Sequence, residues 1–190
     1  MPEKDIPLTC DADASALLVI DIQTKLTGVM PIKVLARLQR YTGVLIKSAN
    51  ALNIPVFVTE QYPKGLGKLE QDIDILLAEN TRRYEKTSFS CAGATDFLED
   101  LSRSGRRQII LAGMEAHVCV LQTAMDLQAL GYRIFVVAEA VCSRHRESYE
   151  TALQRMRQAG VMIVNAESIL FEWLRDAKHP QFKAVQSLIT

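Results

Sequence analysis

Along the chain, short apolar bursts alternate with longer stretches in which apolar residues return every three or four positions. The bursts ALLVID (16–21), PVFVTE (55–60), QIILAG (108–113), RIFVVAE (133–139) and VMIVN (161–165), with a shorter one at RYEKT (83–87), predict strands. They are rich in Val and Ile and show little polar alternation, as parallel strands covered on both faces do. The intervening stretches at 32–52, 94–104, 120–130 and 148–158 predict amphipathic helices, with Gly131 and Gly160 just past two of their ends. Residues Ala166 to Leu174 and Phe182 to Ile189 read as two further short helices.

Strands and helices in this alternation predict an α/β fold: a doubly wound, three-layer α/β/α sandwich around a mostly parallel sheet of about six strands. No repeat or interdomain linker interrupts the pattern, so residues 1–190 read as one domain, with 1–14 as a flexible N-terminal arm. In such a sheet ligands bind beyond the carboxyl ends of the strands, where the winding reverses. Asp21 closes the first predicted strand, Lys86 follows the third, and GMEAHVC follows the fourth. Their convergence requires the first and fourth strands to be neighbours.

Composition narrows the partners. The chain has 190 residues, 48% of them apolar, enough for one sizeable core. Lys plus Arg and Asp plus Glu both total 22, and a net charge of zero points to a small-molecule substrate, with no nucleic acid and no anionic membrane. No apolar run reaches the roughly 18 residues of a membrane span, and the first residues lack the apolar centre of a signal peptide, so a cytoplasmic location is expected. Cys10, Cys91, Cys119 and Cys142 are scattered without CxxC spacing, which fits reduced thiols.

Cys119 opens the predicted helix VLQTAMDLQAL, where unpaired amides and partial positive charge favour thiolate, and a nearby Lys86 would lower the thiol pKa further. Asp21 could then accept a proton or orient the lysine. Each residue also has an ordinary reading: a packed cysteine, an aspartate helix cap, a solvated lysine. Only their combination is specific.

ALLVIDIQ, EKTSFS and GMEAHVCV together resemble the isochorismatase-like cysteine hydrolases, over nearly the whole chain. TEQYPKGLG, RMRQAG and HPQFK further resemble the small isochorismatase-domain-containing proteins. The resemblance implies Cys119 as nucleophile, Asp21 as general base and Lys86 as the charge that stabilises thiolate and developing negative charge. It also implies a cis peptide bond between Met114 and Glu115, with the backbone amides of Glu115 and Cys119 forming an oxyanion hole. A homo-oligomer is expected, with Phe171, Trp173 and Leu174 as candidate interface anchors, though they serve equally well to pack a helix on its own sheet, which is the preferred reading of the two.

Nicotinamidase-type relatives hold a metal through an Asp and His residues after the second strand, but here that loop, TEQYPKGLGKLEQD, has no histidine. His117, His145 and His179 lie too far apart in sequence to form a local ligand pair, so no metal and no cofactor is expected. Retention of Cys119 favours cleavage of a C–N bond in an amide, carbamate or imide-like substrate through a thioester. Gln23, Gln61, Tyr62 and His117 are candidates for substrate contact, with Glu60 and Glu115 as residues of either binding or structural use. KGLGK lacks both phosphate-loop patterns and reads as a turn. The competing reading is a catalytically idle or redox-responsive protein that keeps the same pocket.

Overall fold

The structure, a computed structural model, describes residues 8–189. Its six strands are β1 (Ser15–Ile20), β2 (Val56–Gln61), β3 (Arg82–Lys86), β4 (Gln108–Met114), β5 (Arg133–Cys142) and β6 (Met162–Val164). They form one sheet in the order β3-β2-β1-β4-β5-β6, and all pairings between adjacent strands are parallel. Thus β1 and β4 are neighbours, and the order reverses at β1, which places the crevice at its carboxyl end.

Period-two alternation along the strands builds a core on each face. Leu17, Val19, Val58, Ile110, Ala112, Phe135 and Val137 face the helices Ile32–Ala51 and Ala166–Leu174 through Leu38, Leu45, Ala49, Ile169 and Leu170. The opposite residues Ala16, Leu18, Ile20, Ile109, Leu111 and Val136 meet Phe97, Leu101, Val120, Leu127 and Met156 from the helices Phe97–Arg103, Leu121–Ala129 and Arg146–Gln158 and the turn before the second of them. Each such Leu, Ile or Phe contributes about 1.5–3 kcal/mol on burial.

Several expectations need correction. Residues 1–7 of the expected flexible arm lie outside the described residues, but residues 8–14 are held against the body. Cys10 is fully buried, its amide donates to Glu172 Oε2 at 2.5 Å, and the Gln108 side chain accepts from the Asp11 amide at 2.7 Å and donates to the Thr9 carbonyl at 2.9 Å. The apolar environment that receives Cys10 comes from helices more than 150 residues away in sequence, which no local pattern reveals. Strand β5 runs to Cys142, past the expected end at Glu139, because its register with β4 shifts between Leu111 and Gly113. In keeping with the preferred reading, Trp173 and Leu174 pack into this chain's own core, with Trp173 Nε1 donating to Ser15 Oγ at 3.0 Å, whereas Phe171 is 40% exposed. Among the described residues no helix is long and apolar enough to cross a membrane.

Candidate active site

Asp21 follows the last residue of β1 and adopts φ +51°, a left-handed conformation that aspartate tolerates better than most residues. Ile20 registers with Thr59 on one side and Gly113 on the other, so Asp21 emerges between the ends of β2 and β4. Its amide donates to the Thr59 carbonyl at 3.1 Å. Gly113, at φ +121°, makes this close approach possible: a Cβ there would stand 2.0 Å from the Ile20 carbonyl oxygen.

Lys86 ends β3, two strands away from Asp21. Its side chain is wholly buried and reaches past β2, where Nζ lies 2.6 Å from Asp21 Oδ2. Removing an ammonium from water is costly unless its hydrogens find acceptors. Here they do: Gln61 Oε1 at 2.7 Å, the Phe89 carbonyl at 3.0 Å and the Ser88 carbonyl at 3.3 Å complete the shell. Burial works against the lysine's charge, but the negative charge of Asp21 and the neighbouring thiols of Cys91 and Cys119 prevail, and its pKa rises.

Cys119 lies in a π-helical turn, Ala116–Val120, directly ahead of the helix Leu121–Ala129. This differs from the expected helix beginning at the cysteine, because the wider turn interposes before the regular helix. The Cys119 thiol lies close enough to Asp21 and Lys86 to feel the charge of both. Burial first, and then the Asp21 carboxylate, push its pKa up, while Lys86 opposes the rise only in part. The surroundings therefore do not favour the expected thiolate: burial and the Asp21 carboxylate both favour the protonated form. Only 6% of Cys119 is exposed, so approach is restricted to a small group. The Met114–Glu115 peptide bond, just before the turn, is cis.

The other candidate residues divide by what already occupies them. Gln23 is fully buried and is spent on backbone: its Nε2 donates to the Gln61 carbonyl at 3.0 Å and the Gly67 carbonyl at 2.6 Å, and its Oε1 accepts from the Gln61 amide at 2.7 Å. Gln61 holds Lys86 through Oε1, while its Nε2 donates to the Thr87 carbonyl at 2.8 Å. Glu60 accepts from the Leu69 amide at 2.5 Å, and Glu115 accepts from the Arg144 amide at 3.0 Å and pairs with its guanidinium at 3.3 Å. His117 Nδ1 lies 2.9 Å from Ser143 Oγ, at the edge of a cavity of about 320 Å³ shared with Glu147 and Arg155. Tyr62 remains 54% exposed, at φ +36°, with its amide on the Lys86 carbonyl at 2.8 Å. A Cβ at Gly65 would meet its ring at 2.3 Å, so the KGLG turn seats this tyrosine.

Sequence reading passed over Thr59 and gave Cys91 no part in the site. Thr59 Oγ1 donates to Asp21 Oδ1 at 2.7 Å and lies 3.5 Å from Cys91 Sγ. Cys91 is fully buried, its amide donates to Thr123 Oγ1 at 2.9 Å, and burial together with the Asp21 charge lifts its thiol to about 11. The one available signal was Thr59 as the first polar residue after the apolar run 56–58 of β2. Chemically, the assembly offers a buried thiol beside a carboxylate that is paired with a buried ammonium.

A family model described as the isochorismatase domain matches residues 15–168. Isochorismatase domain-containing protein 2 of Xenopus laevis is 41% identical over 145 residues, covering 76% of this chain and 69% of that protein. Isochorismatase family protein 1B of Dictyostelium discoideum is 36% identical over 183 residues, covering 91% of this chain and 84% of its own. Among solved structures, the MAR1 ribonuclease of Caenorhabditis elegans superposes with a TM-score of 0.88 at 37% identity, over 95% of this chain and 92% of that one.

Proposed function

The chain belongs to the isochorismatase family, and on that premise we propose that it is a cysteine hydrolase cleaving a C–N bond of a small amide, carbamate or related substrate. The observation that carries this reading is the Asp21 carboxylate, which pairs with Lys86 Nζ at 2.6 Å and lies close enough to the Cys119 thiol for its charge to act on it. A protonated nucleophile needs a neighbouring base, and Asp21 is that base. A redox sensor instead calls for an accessible thiol of low pKa, which Cys119 is not.

In the proposed reaction Cys119 sulfur bonds to the substrate carbonyl carbon as its proton passes to Asp21. The π pair moves to oxygen, where the backbone amides of Glu115 and Cys119 receive the charge; such a donor is worth on the order of 3 kcal/mol. Collapse breaks the C–N bond and the departing nitrogen takes the proton from Asp21, leaving a thioester. Water then attacks, gives a proton to Asp21 and releases the acid, and the sulfur recovers that proton. Lys86 pairs with Asp21 and offsets negative charge on sulfur. Tyr62 and His117 are the candidate residues for substrate contact, since Gln23 and Gln61 are engaged by the protein itself.

Self-association belongs to the same proposal, supported by Val29 and Ile32, which stand exposed beyond the carboxyl end of β1. Sedimentation that returns only the 21.2 kDa monomer mass at all concentrations contradicts it. The hydrolase itself is tested with a panel of small amides and carbamates, scored by ammonia or amine release. Turnover should be present in the native chain and absent in Cys119→Ala. RNA is the control substrate, because the C. elegans relative is described as a ribonuclease; cleavage of RNA that disappears in Cys119→Ala would replace the amide reading.

A further inference from the structure

Asp21 is held from two sides, and only one of them is the lysine. Thr59, inside β2, is fully buried, with Oγ1 2.7 Å from Asp21 Oδ1 and 3.5 Å from Cys91 Sγ. A carboxylate can only accept, so the single hydroxyl hydrogen of Thr59 is committed to Oδ1, and its lone pairs are left to the Cys91 S–H. Cys91 is fixed in turn by its amide, which donates to Thr123 Oγ1 at 2.9 Å. Lys86 occupies the other oxygen, Oδ2. The titratable groups around the carboxylate are therefore Lys86 from β3, Cys91 from the turn after β3 and Cys119 from the turn after β4.

With a donor from β2 on one oxygen and a donor from β3 on the other, the carboxylate plane cannot turn without breaking a buried hydrogen bond. Breaking one leaves a desolvated polar group unsatisfied, which proteins strongly avoid. We propose that Thr59 is the positioning residue of the site: its hydroxyl fixes the Asp21 carboxylate so that a constant edge faces the Cys119 thiol, and Cys91 fixes the direction of that hydroxyl. Thr59 forms no bond to substrate and acts through Asp21. The inference rests on the hydrolase reading, in which Asp21 receives the thiol proton.

The test uses the full chain and p-nitrophenyl acetate, an activated ester that acylates a cysteine and releases a coloured phenolate without requiring the natural substrate. The acylation rate constant and the half-saturating concentration are measured separately, and acetyl-Cys119 is located by peptide mass. Thr59→Val preserves volume and removes the donor; it should acylate about tenfold or more slowly, with half-saturation within about twofold, because misplacing a reacting group lowers the rate more than binding. Thr59→Ser should recover the native rate to within about threefold, which a space-filling role does not predict.

Native-like acylation by Thr59→Val overturns the inference, as does a Thr59→Ser protein no faster than Thr59→Val. If Thr59→Val does not fold, Thr59→Cys, with a weaker donor of similar size, should acylate at an intermediate rate, and a native rate overturns the inference equally. Failure of the underlying reading looks different: native protein that acquires no acetyl group at Cys119, or Asp21→Asn that acylates as fast as native, removes the base itself and the Thr59 inference with it.

Discussion

Lys86 Nζ and Asp21 Oδ2 lie 2.6 Å apart with both side chains wholly buried, although the two residues come from strands separated by β2. A buried pair of this kind costs desolvation twice, and its attraction compensates only while both members are present. Lys86→Met strands a carboxylate and Asp21→Asn strands an ammonium. Each single change should destabilise the fold by about 3–5 kcal/mol, and the double variant by clearly less than their sum. Urea unfolding of the four proteins measures this directly, and additive losses contradict it.

The same pair should move the reactivity of Cys119 in opposite directions. Its thiol pKa is raised by burial and then by Asp21, while Lys86 lowers it. Removing the carboxylate's charge in Asp21→Asn should therefore shift alkylation of Cys119 by iodoacetamide to lower pH, and Lys86→Met should shift it to higher pH. In native protein alkylation should increase only above the ordinary thiol range near pH 8.5. Site-resolved mass spectrometry across pH reads all three profiles; shifts of the same sign would show that these charges do not govern the sulfur.

Gly113 should tolerate no side chain. A methyl group in Gly113→Ala would sit 2.0 Å from the Ile20 carbonyl oxygen at a φ of +121°. The expected loss is on the order of 3 kcal/mol or more, or about 6–12 °C in melting temperature for a chain of this size. A melt within about 2 °C of native would mean that β1 and β4 separate more easily than their register implies.

Gln23 and Tyr62 should behave differently although both stand near the same cleft. Gln23→Ala abolishes three hydrogen bonds from a buried side chain to the backbone and should cost stability, about 1–3 kcal/mol. Tyr62→Ala removes an exposed ring and should leave the melting temperature nearly unchanged while raising the half-saturating concentration of p-nitrophenyl acetate about two- to tenfold. Thermal melts and saturation curves on the two variants separate a brace from a contact, and a reversal of the two phenotypes refutes the assignment.

Much of the fold was legible because its signals are local. Val- and Ile-rich bursts placed five of the six strands, the short RYEKT stretch placed β3, and helical periodicity placed the main covering helices. Asp21, Lys86 and the turn carrying Cys119 were legible as strand-end residues, and the neighbouring β1 and β4 bring the first and last of these together. What stayed hidden depends on partners distant in sequence. Cys10 finds its apolar surroundings through Glu172 and the C-terminal helices, and the Cys119 pKa follows from burial that no helix-terminus argument weighs. Gln23 resembled a cleft residue until its three backbone partners were fixed by folding, and Thr59 gains its importance only from the register that sets it beside Asp21.

The most direct test of the central claim is the mass of Cys119 during turnover. Native protein mixed with each member of a small-amide and carbamate panel, quenched in acid within seconds and mapped by peptide mass, should carry an acyl group on Cys119 whenever ammonia or amine is released. Asp21→Asn should show little or none. Amine release without any adduct on Cys119, or with equal adduct in Asp21→Asn, would contradict a mechanism in which this thiol attacks and this carboxylate takes its proton.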